Sequence, residues 1–199
     1  MEIEQVRRAL ERMEPPRAGA AVLIPLIRTE QGLFVLLEQR AFTLEVQPGE
    51  VCLPGGRIEA GESPQEAAVR ETCEELLVRA DQIELLGSLG AMEGPGGLPL
   101  HAFVGELAAY EGTFSKDEVD HCFTLSLDWL MTHAPEIYEV RQTPSYPDDF
   151  PWELVPGGRA YPWRSRTHRV PFYRGTDPVL WGATARVLDR FVQLLKRQG

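Results

Sequence analysis

The sequence predicts an α/β fold in which a mixed sheet is covered by helices on both faces. Apolar segments of strand length alternate with amphipathic segments of helix length, neighbouring strands are joined by short polar turns, and the first strand is almost wholly apolar. A strand of that kind is buried on both faces, so a layer of structure is needed on each side of the sheet. The length of 199 residues suits one core, and we expect a single domain over residues 1–199.

The predicted elements follow in order along the chain. An amphipathic helix is predicted for residues 3–13, ending before a pair of prolines. Strands are predicted at residues 20–28, 32–40, around 51, 83–92, 98–110 and 121–127. A short helix is predicted at 127–133 and a long loop with little regular structure at 141–167. A closing helix is predicted at 178–198, with the packed residues Val179, Leu180, Ala183, Val187, Phe191 and Leu194.

A further helix, with a strong start signal, is predicted within the segment GGRIEAGESPQEAAVRETCEELLV, residues 55–78. Ser63 is the expected N-cap, Pro64 the first helical residue, and Glu66 the partner of Ser63 in a capping box. Two glycines at the beginning of the segment follow a proline and predict a tight turn ahead of the helix. A rigid loop is therefore expected to deliver a well-defined helix.

One face of this helix is unusually acidic. Arg70, Glu71, Glu74 and Glu75 place four charges within six positions. At about 100° of rotation per residue, the three carboxylates share one face, where like charges repel. The repulsion is removed if the face holds a divalent cation, because Mg²⁺ takes oxygen ligands. The alternative interpretation is a solvated acidic face that binds nothing.

The same segment resembles the signature of the Nudix hydrolase family. That signature runs Gly, five residues, Glu, seven residues, Arg-Glu, an aliphatic, any residue, Glu-Glu, any residue, Gly and an aliphatic. The matching residues are Gly56, Glu62, Arg70, Glu71, Glu74, Glu75 and Val78, while Thr72 replaces the first aliphatic and Leu77 the second glycine. The resemblance implies a Nudix-type α/β/α sandwich with a central mixed sheet. It also implies a hydrolase of phosphoanhydride bonds in small-molecule diphosphates, with Mg²⁺ or Mn²⁺ as cofactor.

The resemblance further implies which residues hold the metal ion. Glu71 and Glu75 are the expected principal ligands, Glu74 is an additional ligand or a base, and Gly56 supplies a backbone carbonyl. A bound cation offsets the negative charge of a phosphoanhydride and lowers the pKa of a coordinated water, which then attacks phosphorus.

Two other signature residues are expected to support the carboxylates. Arg70 should orient them through charge-assisted hydrogen bonds, and Glu62 should fix the loop to the helix. The catalytic base could also lie outside the signature, and Glu118 and Glu93 are the candidates. For both, the alternative is a solvated loop residue.

Residues 36–56 resemble the additional motif of the coenzyme A diphosphatase branch of the family. The matching residues are Leu36, Leu37, Arg40, Ala41, Gly49, Pro54, Gly55 and Gly56. The resemblance implies coenzyme A or an acyl derivative as substrate, with Arg40 and Gly55 in its binding site. For Arg40, the alternative is a surface ion pair.

Three positions in this motif depart from the branch. Glu38 stands in place of Thr, Leu53 in place of Phe, and Glu45 in place of a second Arg. A carboxylate beside a polyanionic substrate reverses a Coulomb term of about 1 kcal/mol. ADP-ribose, a dinucleotide or a nucleoside triphosphate therefore stay open as substrates. A catalytically inactive nucleotide-binding module is the alternative of another class.

The C-terminal region resembles the same branch over residues 168–195, where Trp181, Gly182, Thr184 and Ala185 match. Trp181 is expected to anchor the core, given the area that an indole buries, and the alternative is a platform for the substrate. Residues 154–176 contain no acidic residue but five arginines, among them Arg169, which is a candidate for binding the 3′-phosphate of coenzyme A. The alternative is that these arginines pair with surface acids or across a dimer.

Composition and charge limit the kinds of binding partner that we expect. The net charge of −10 argues against nucleic acid, because phosphate contacts need clustered cations. No apolar run reaches the roughly 18 residues of a membrane span, and the acidic start MEIEQ is unlike a signal peptide, so a cytoplasmic protein without membrane contact is expected. Cys52, Cys73 and Cys122 lack paired metal spacing and are expected to be reduced thiols. The sequence leaves a homodimer open.

Overall fold

The computed structural model describes residues 19–197, so the helix predicted at 3–13 lies outside the described residues. Within them, the strands are β1 Ala20–Thr29, β2 Gly32–Arg40, β3 Val51–Cys52, β4 Gly55–Arg57, β5 Ile83–Glu93, β6 Pro99–Leu107, β7 Val119–Ser126, β8 Glu136–Gln142, β9 Arg166–Tyr173 and β10 Leu180–Trp181. The helices are α1 Pro64–Leu76, α2 Leu127–Thr132 and α3 Gly182–Lys196. No helix among residues 19–197 is long and apolar enough to cross a membrane.

The main sheet is mixed, as predicted. Its strand order is β3-β2-β1-β6-β5, with β4 paired to β1 and β7 paired to β2. Strands β1 and β6 run parallel, whereas β1 and β2 form an antiparallel hairpin whose register ends at Thr29 opposite Gly32. The short turn between β1 and β2 and the turn between β5 and β6 lie where the sequence placed them.

Helices cover both faces of this sheet, which confirms the α/β/α arrangement. Side chains of β1 alternate between the faces: Leu23 belongs to a buried cluster with Ala67 of α1, whereas Ile24 belongs to the cluster that contains Phe191 of α3. Both β1 residues are fully buried. Burial of each side chain contributes about 1.5–3 kcal/mol, and α1 is thereby held against the middle of the sheet.

Both ends of α1 have defined caps. The Ser63 hydroxyl accepts a hydrogen bond from the Glu66 amide at 3.3 Å, and Glu66 accepts one from the Ser63 amide at 2.8 Å, so the predicted capping box is present. At the other end, Leu77 adopts φ 54° and ψ 43°, and its amide donates to the Cys73 carbonyl. This left-handed conformation favours glycine, the residue that Leu77 replaces.

A smaller antiparallel sheet, β10-β9-β8, was not fully predicted. All seven residues of β8 are exposed, so this strand lacks the apolar alternation by which strands are recognised. The chain between β8 and β9 contains only two 3₁₀ turns, in agreement with the predicted long loop.

The closing helix differs from its prediction at its start. It begins at Gly182 rather than near 178, because the preceding residues Leu180 and Trp181 pair with β9 as strand β10. Val179 therefore lies outside the helix and is 55% exposed. Leu194 is 43% exposed, so its predicted place in the packed face is also wrong.

Candidate metal and substrate site

Helix α1 places its carboxylates directly over the turn at the start of β4. The Gly55 amide donates a hydrogen bond to Glu75 Oε2 at 2.7 Å. A Cβ atom on Gly56 would overlap the carboxylate of Glu71, and one on Gly55, where φ is +154°, would overlap the Ala21 carbonyl. Position 55 therefore needs glycine, whereas a side chain at position 56 would displace the Glu71 carboxylate, and the two α1 carboxylates lie on this double-glycine turn.

Arg70 holds three carboxylates at once. Its guanidinium donates to the two oxygens of Glu62 at 2.8 and 3.1 Å and to Glu74 at 3.1 Å, and it forms an ion pair with Glu71 at 3.0 Å. One further hydrogen bond, of 3.1 Å, reaches the Arg57 carbonyl in β4. This geometry agrees with an orienting role for Arg70 and ties the loop to the helix through Glu62.

Glu62 also accepts a hydrogen bond from the Glu59 amide at 3.0 Å. The hydrogen bonds from Arg70 first, and then from the Glu59 amide, lower the pKa of Glu62. Glu62 is thus held ionised in the loop, as a support for Arg70.

The two inner carboxylates are costly to ionise without a counter-charge. Glu75 is only 4% exposed, and burial raises its pKa to about 8, although the hydrogen bond from Gly55 opposes the rise. Burial also raises the pKa of Glu71, against the opposing effect of Arg70. Glu74 differs from both, because its side chain is 56% exposed.

A fourth carboxylate, Glu38, was not assigned a role from the sequence. It is fully buried on β2, opposite Cys52 of β3 and Cys122 of β7. Its Oε2 accepts a weak hydrogen bond from the Cys52 thiol at 3.7 Å, and its Oε1 finds no partner among residues 19–197. Burial, and then the charge of Glu75, hold the pKa of Glu38 well above its ordinary range. The only signal in the sequence was the departure from Thr at this position.

These residues fit a hard divalent cation. The candidate donors are carboxylate oxygens, among them the buried Glu38 Oε1 that lacks a hydrogen-bond partner among residues 19–197, beside a glycine turn where a Cβ atom would overlap the Ala21 carbonyl or the Glu71 carboxylate. Among residues 19–197, no three His, Cys, Asp or Glu side chains already converge as a ligand set.

The structure separates the two candidate bases. Negative charge on the exposed residue Glu118 is a minor cause of the raised pKa of both Glu71 and Glu75, so Glu118 lies near enough to interact with the α1 carboxylates. Glu93 instead lines a cavity beyond Trp181. Glu118 is the candidate that the structure brings to the carboxylate face.

A cavity of about 670 Å³ adjoins the double-glycine turn. Arg40 lines it and donates to the Val46 carbonyl at 3.4 Å. The ion pairs found among residues 19–197 do not include Arg40, so the surface ion pair has no support there. Glu45 is exposed and does not line the cavity. The cavity walls are mostly apolar, with Val22, Val51, Leu53, Leu100 and Val187 among them.

Trp181 lies at the far end of this cavity. Its indole stacks on Phe172 with 5.5 Å between ring centroids and an interplanar angle of 15°, and it is 38% exposed. The predicted role of Trp181 as a core anchor is therefore wrong. A second cavity, of about 610 Å³, begins at Trp181 and is lined by Arg166 and His168. The structure does not bring Arg169 to it, because side chains alternate along β9 and Arg169 faces the other way.

The three cysteines are free thiols, as predicted. Burial raises the pKa of each thiol, which disfavours the thiolate form that a nucleophile needs.

The site thus consists of an acidic helix packed on a double-glycine turn, beside a cavity lined by Arg40 and Arg57, within an α/β/α fold. The family model of the NUDIX domain matches residues 17–143, more than half of the chain. The chain therefore belongs to the Nudix family.

Similar proteins agree with this assignment. A Salmonella paratyphi B protein named "Uncharacterized Nudix hydrolase NudL" is 35% identical over 176 residues, which are 85% of this chain and 78% of that protein. "Nudix hydrolase 3" of Caenorhabditis elegans is 35% identical over 122 residues, 59% of this chain and 51% of that protein. The chain spans about half the length, or less, of the first relatives it matches. The crystal structure of a MutT/nudix family protein from Enterococcus faecalis shares the fold, with a TM-score of 0.52 and 15% identity over 98% of this chain and 70% of that chain.

Proposed function

We propose that the chain is a divalent-metal-dependent hydrolase of nucleoside diphosphate-linked compounds. The observation that carries the proposal is the placement of Glu71 and Glu75 on the turn formed by Gly55 and Gly56. Burying like charges at one place is unfavourable unless a cation joins them, and membership of the Nudix family supports this use of the site.

The residues of the chain divide the work as follows. Glu71, Glu75 and Glu74, with the Gly56 carbonyl, would hold Mg²⁺ or Mn²⁺. The bound ion supplies charge neutralisation at the diphosphate and activation of water. Arg70 keeps the carboxylates in place, and either Glu118 or Glu74 accepts the proton of the attacking water.

The substrate that we propose is coenzyme A or an acyl derivative, which water would split into 3′,5′-ADP and a 4′-phosphopantetheine. Support comes from the matched positions of the upstream motif and from Arg40, which lines the cavity beside the turn. The carboxylate of Glu45, which stands where the branch has an arginine, lies outside that cavity. Its repulsion of the substrate is therefore weaker than the sequence alone suggested.

A panel of diphosphates tests the proposal. Coenzyme A, acetyl-coenzyme A, ADP-ribose, diadenosine tetraphosphate and a nucleoside triphosphate are incubated with Mg²⁺ or Mn²⁺, and the products are separated by chromatography. We expect coenzyme A to give 3′,5′-ADP only when metal is present. Cleavage of ADP-ribose with coenzyme A left intact would contradict the substrate. If no compound is cleaved and Glu75→Gln leaves metal affinity unchanged, the proposal of a metal-dependent hydrolase is contradicted.

A further inference from the structure

The two cavities adjoin each other, and we call the pair the groove. They share lining residues at their junction, among them Gln47, Gly94, Trp181 and Ala183. Trp181 lines both cavities, and the double-glycine turn lines the first. The indole is therefore available to a ligand that occupies the two cavities together.

Two arginines line the second cavity, together with a histidine. Arg166, His168 and Val170 share one face of β9, and Arg186 enters from α3. Arg186 is positioned by hydrogen bonds to the carbonyl of Glu93 at 2.8 Å and of Arg169 at 3.4 Å. The ion pairs found among residues 19–197 leave out both arginines of the cavity. Neither guanidinium group therefore lies within ion-pair distance of an acid in that part of the chain.

The start of α3 adds backbone amide groups to the two arginines. Gly182 and Ala183, the first two residues of this 15-residue helix, line the second cavity, and no side chain caps the helix there. The amide groups of a helix start attract anions. Two acids also line the cavity: Glu50, which accepts a hydrogen bond from the Gln47 side chain at 2.8 Å, and Glu93.

We propose that the second cavity binds a phosphate monoester on the nucleoside half of the substrate while the base stacks on Trp181. The chemical class is a 3′-phosphorylated nucleoside 5′-diphosphate derivative. Guanidinium groups and helix amides recognise a dianionic phosphate, and an indole offers a planar surface to a base. This inference rests on the proposed function and deepens it. It assigns recognition to Arg166 and Trp181 and not to Arg169.

Binding of the two nucleotides 3′,5′-ADP and 5′-AMP, which differ by the second phosphate, tests the inference without hydrolysis. Calorimetry on the full chain should give a dissociation constant about 10-fold to 100-fold lower for 3′,5′-ADP. Arg166→Gln should remove most of that ratio. Arg169→Gln is the matched control, the same change on the same strand but on its other face, and should keep the ratio. Trp181→Leu should weaken the binding of both nucleotides by a similar factor.

Equal affinities for the two nucleotides in the unsubstituted chain would overturn the inference, and so would an equal loss of the ratio in Arg166→Gln and Arg169→Gln. Circular dichroism of each variant separates local effects from misfolding. Failure of the proposed function has a different outcome: selective binding of 3′,5′-ADP through Arg166 without cleavage of any diphosphate. Cleavage of coenzyme A and its 3′-dephosphorylated form with equal kcat/KM and equal affinities would contradict only this inference.

Discussion

Replacing Glu75 by glutamine should change the stability of the metal-free protein in a pH-dependent way. Burial raises the pKa of Glu75 from an ordinary 4.5 to about 8, so folding takes up a proton on this group. The stabilising effect of that proton is complete at low pH and is lost as the pH rises through about 8. The metal-free protein should therefore become less stable from acid to mildly alkaline pH.

The structure sets the size of the effect. Each tenfold change in proton affinity corresponds to 1.36 kcal/mol, so the raised pKa of this 4% exposed group corresponds to a free energy of unfolding lower by about 5 kcal/mol at pH 9 than at pH 4. Glu75→Gln removes the titration but keeps an oxygen that can accept the hydrogen bond from Gly55. The difference in free energy of unfolding between pH 4 and pH 9 should therefore be smaller in the variant by about this amount. In thermal unfolding, the difference in Tm between the two pH values should be smaller by roughly 10–20 °C.

The assay is thermal and urea unfolding between pH 4 and pH 9 in the presence of EDTA, repeated with Mg²⁺. Mg²⁺ at about 100 times its Kd should stabilise the unsubstituted chain by about 2.7 kcal/mol, whereas Glu75→Gln should show little of this gain. Glu84→Gln, the same change at an exposed site on β5, is the control. If Glu75→Gln and the unsubstituted chain share one pH profile and one response to Mg²⁺, the reasoning is refuted.

Three further substitutions test other parts of the site. Leu77→Gly should raise the free energy of unfolding by about 1 kcal/mol in urea titrations, because it relieves a left-handed leucine, whereas Leu86→Gly on β5 should lower it. Arg70→Lys loses the forked contact to Glu62 and should weaken Mn²⁺ binding, measured by electron paramagnetic resonance, about 10-fold to 100-fold; unchanged affinity would contradict its orienting role. Gly56→Ala should lower stability by about 1–3 kcal/mol and weaken Mn²⁺ binding, and normal binding would contradict the close approach of α1.

The parts of the fold that depend on local sequence were predictable. Ser63 and Glu66 determine the start of α1 through contacts within one turn, and helical spacing alone places three carboxylates on one face. Strand β8 was not predictable in this way, because none of its residues is buried and its pairing with β9 joins distant parts of the chain. Apolar periodicity reports burial, and an exposed strand carries little of it.

The site also contains residues that local sequence predicts and residues that only the tertiary structure reveals. Spacing and family resemblance indicated Glu71 and Glu75, but the burial of Glu38 arises from strands β3 and β7 on either side of it. Likewise, the run of arginines was visible in the sequence, yet which of them faces the groove depends on the phase of β9. That phase selects Arg166 and turns Arg169 away. The predicted homodimer and cytoplasmic location stay predictions.

Phosphorus NMR of coenzyme A incubated with the full chain tests the central claim most directly. With Mg²⁺ present, the diphosphate resonances should give way to those of phosphate monoesters. EDTA or Glu75→Gln should prevent this change, whereas Glu84→Gln should not. Diphosphate resonances that persist with both Mg²⁺ and Mn²⁺ would contradict a metal-dependent diphosphatase that uses the carboxylates of α1. The same conclusion would follow if the resonances disappeared as fast with EDTA, or with Glu75→Gln, as they do with the unsubstituted chain in Mg²⁺.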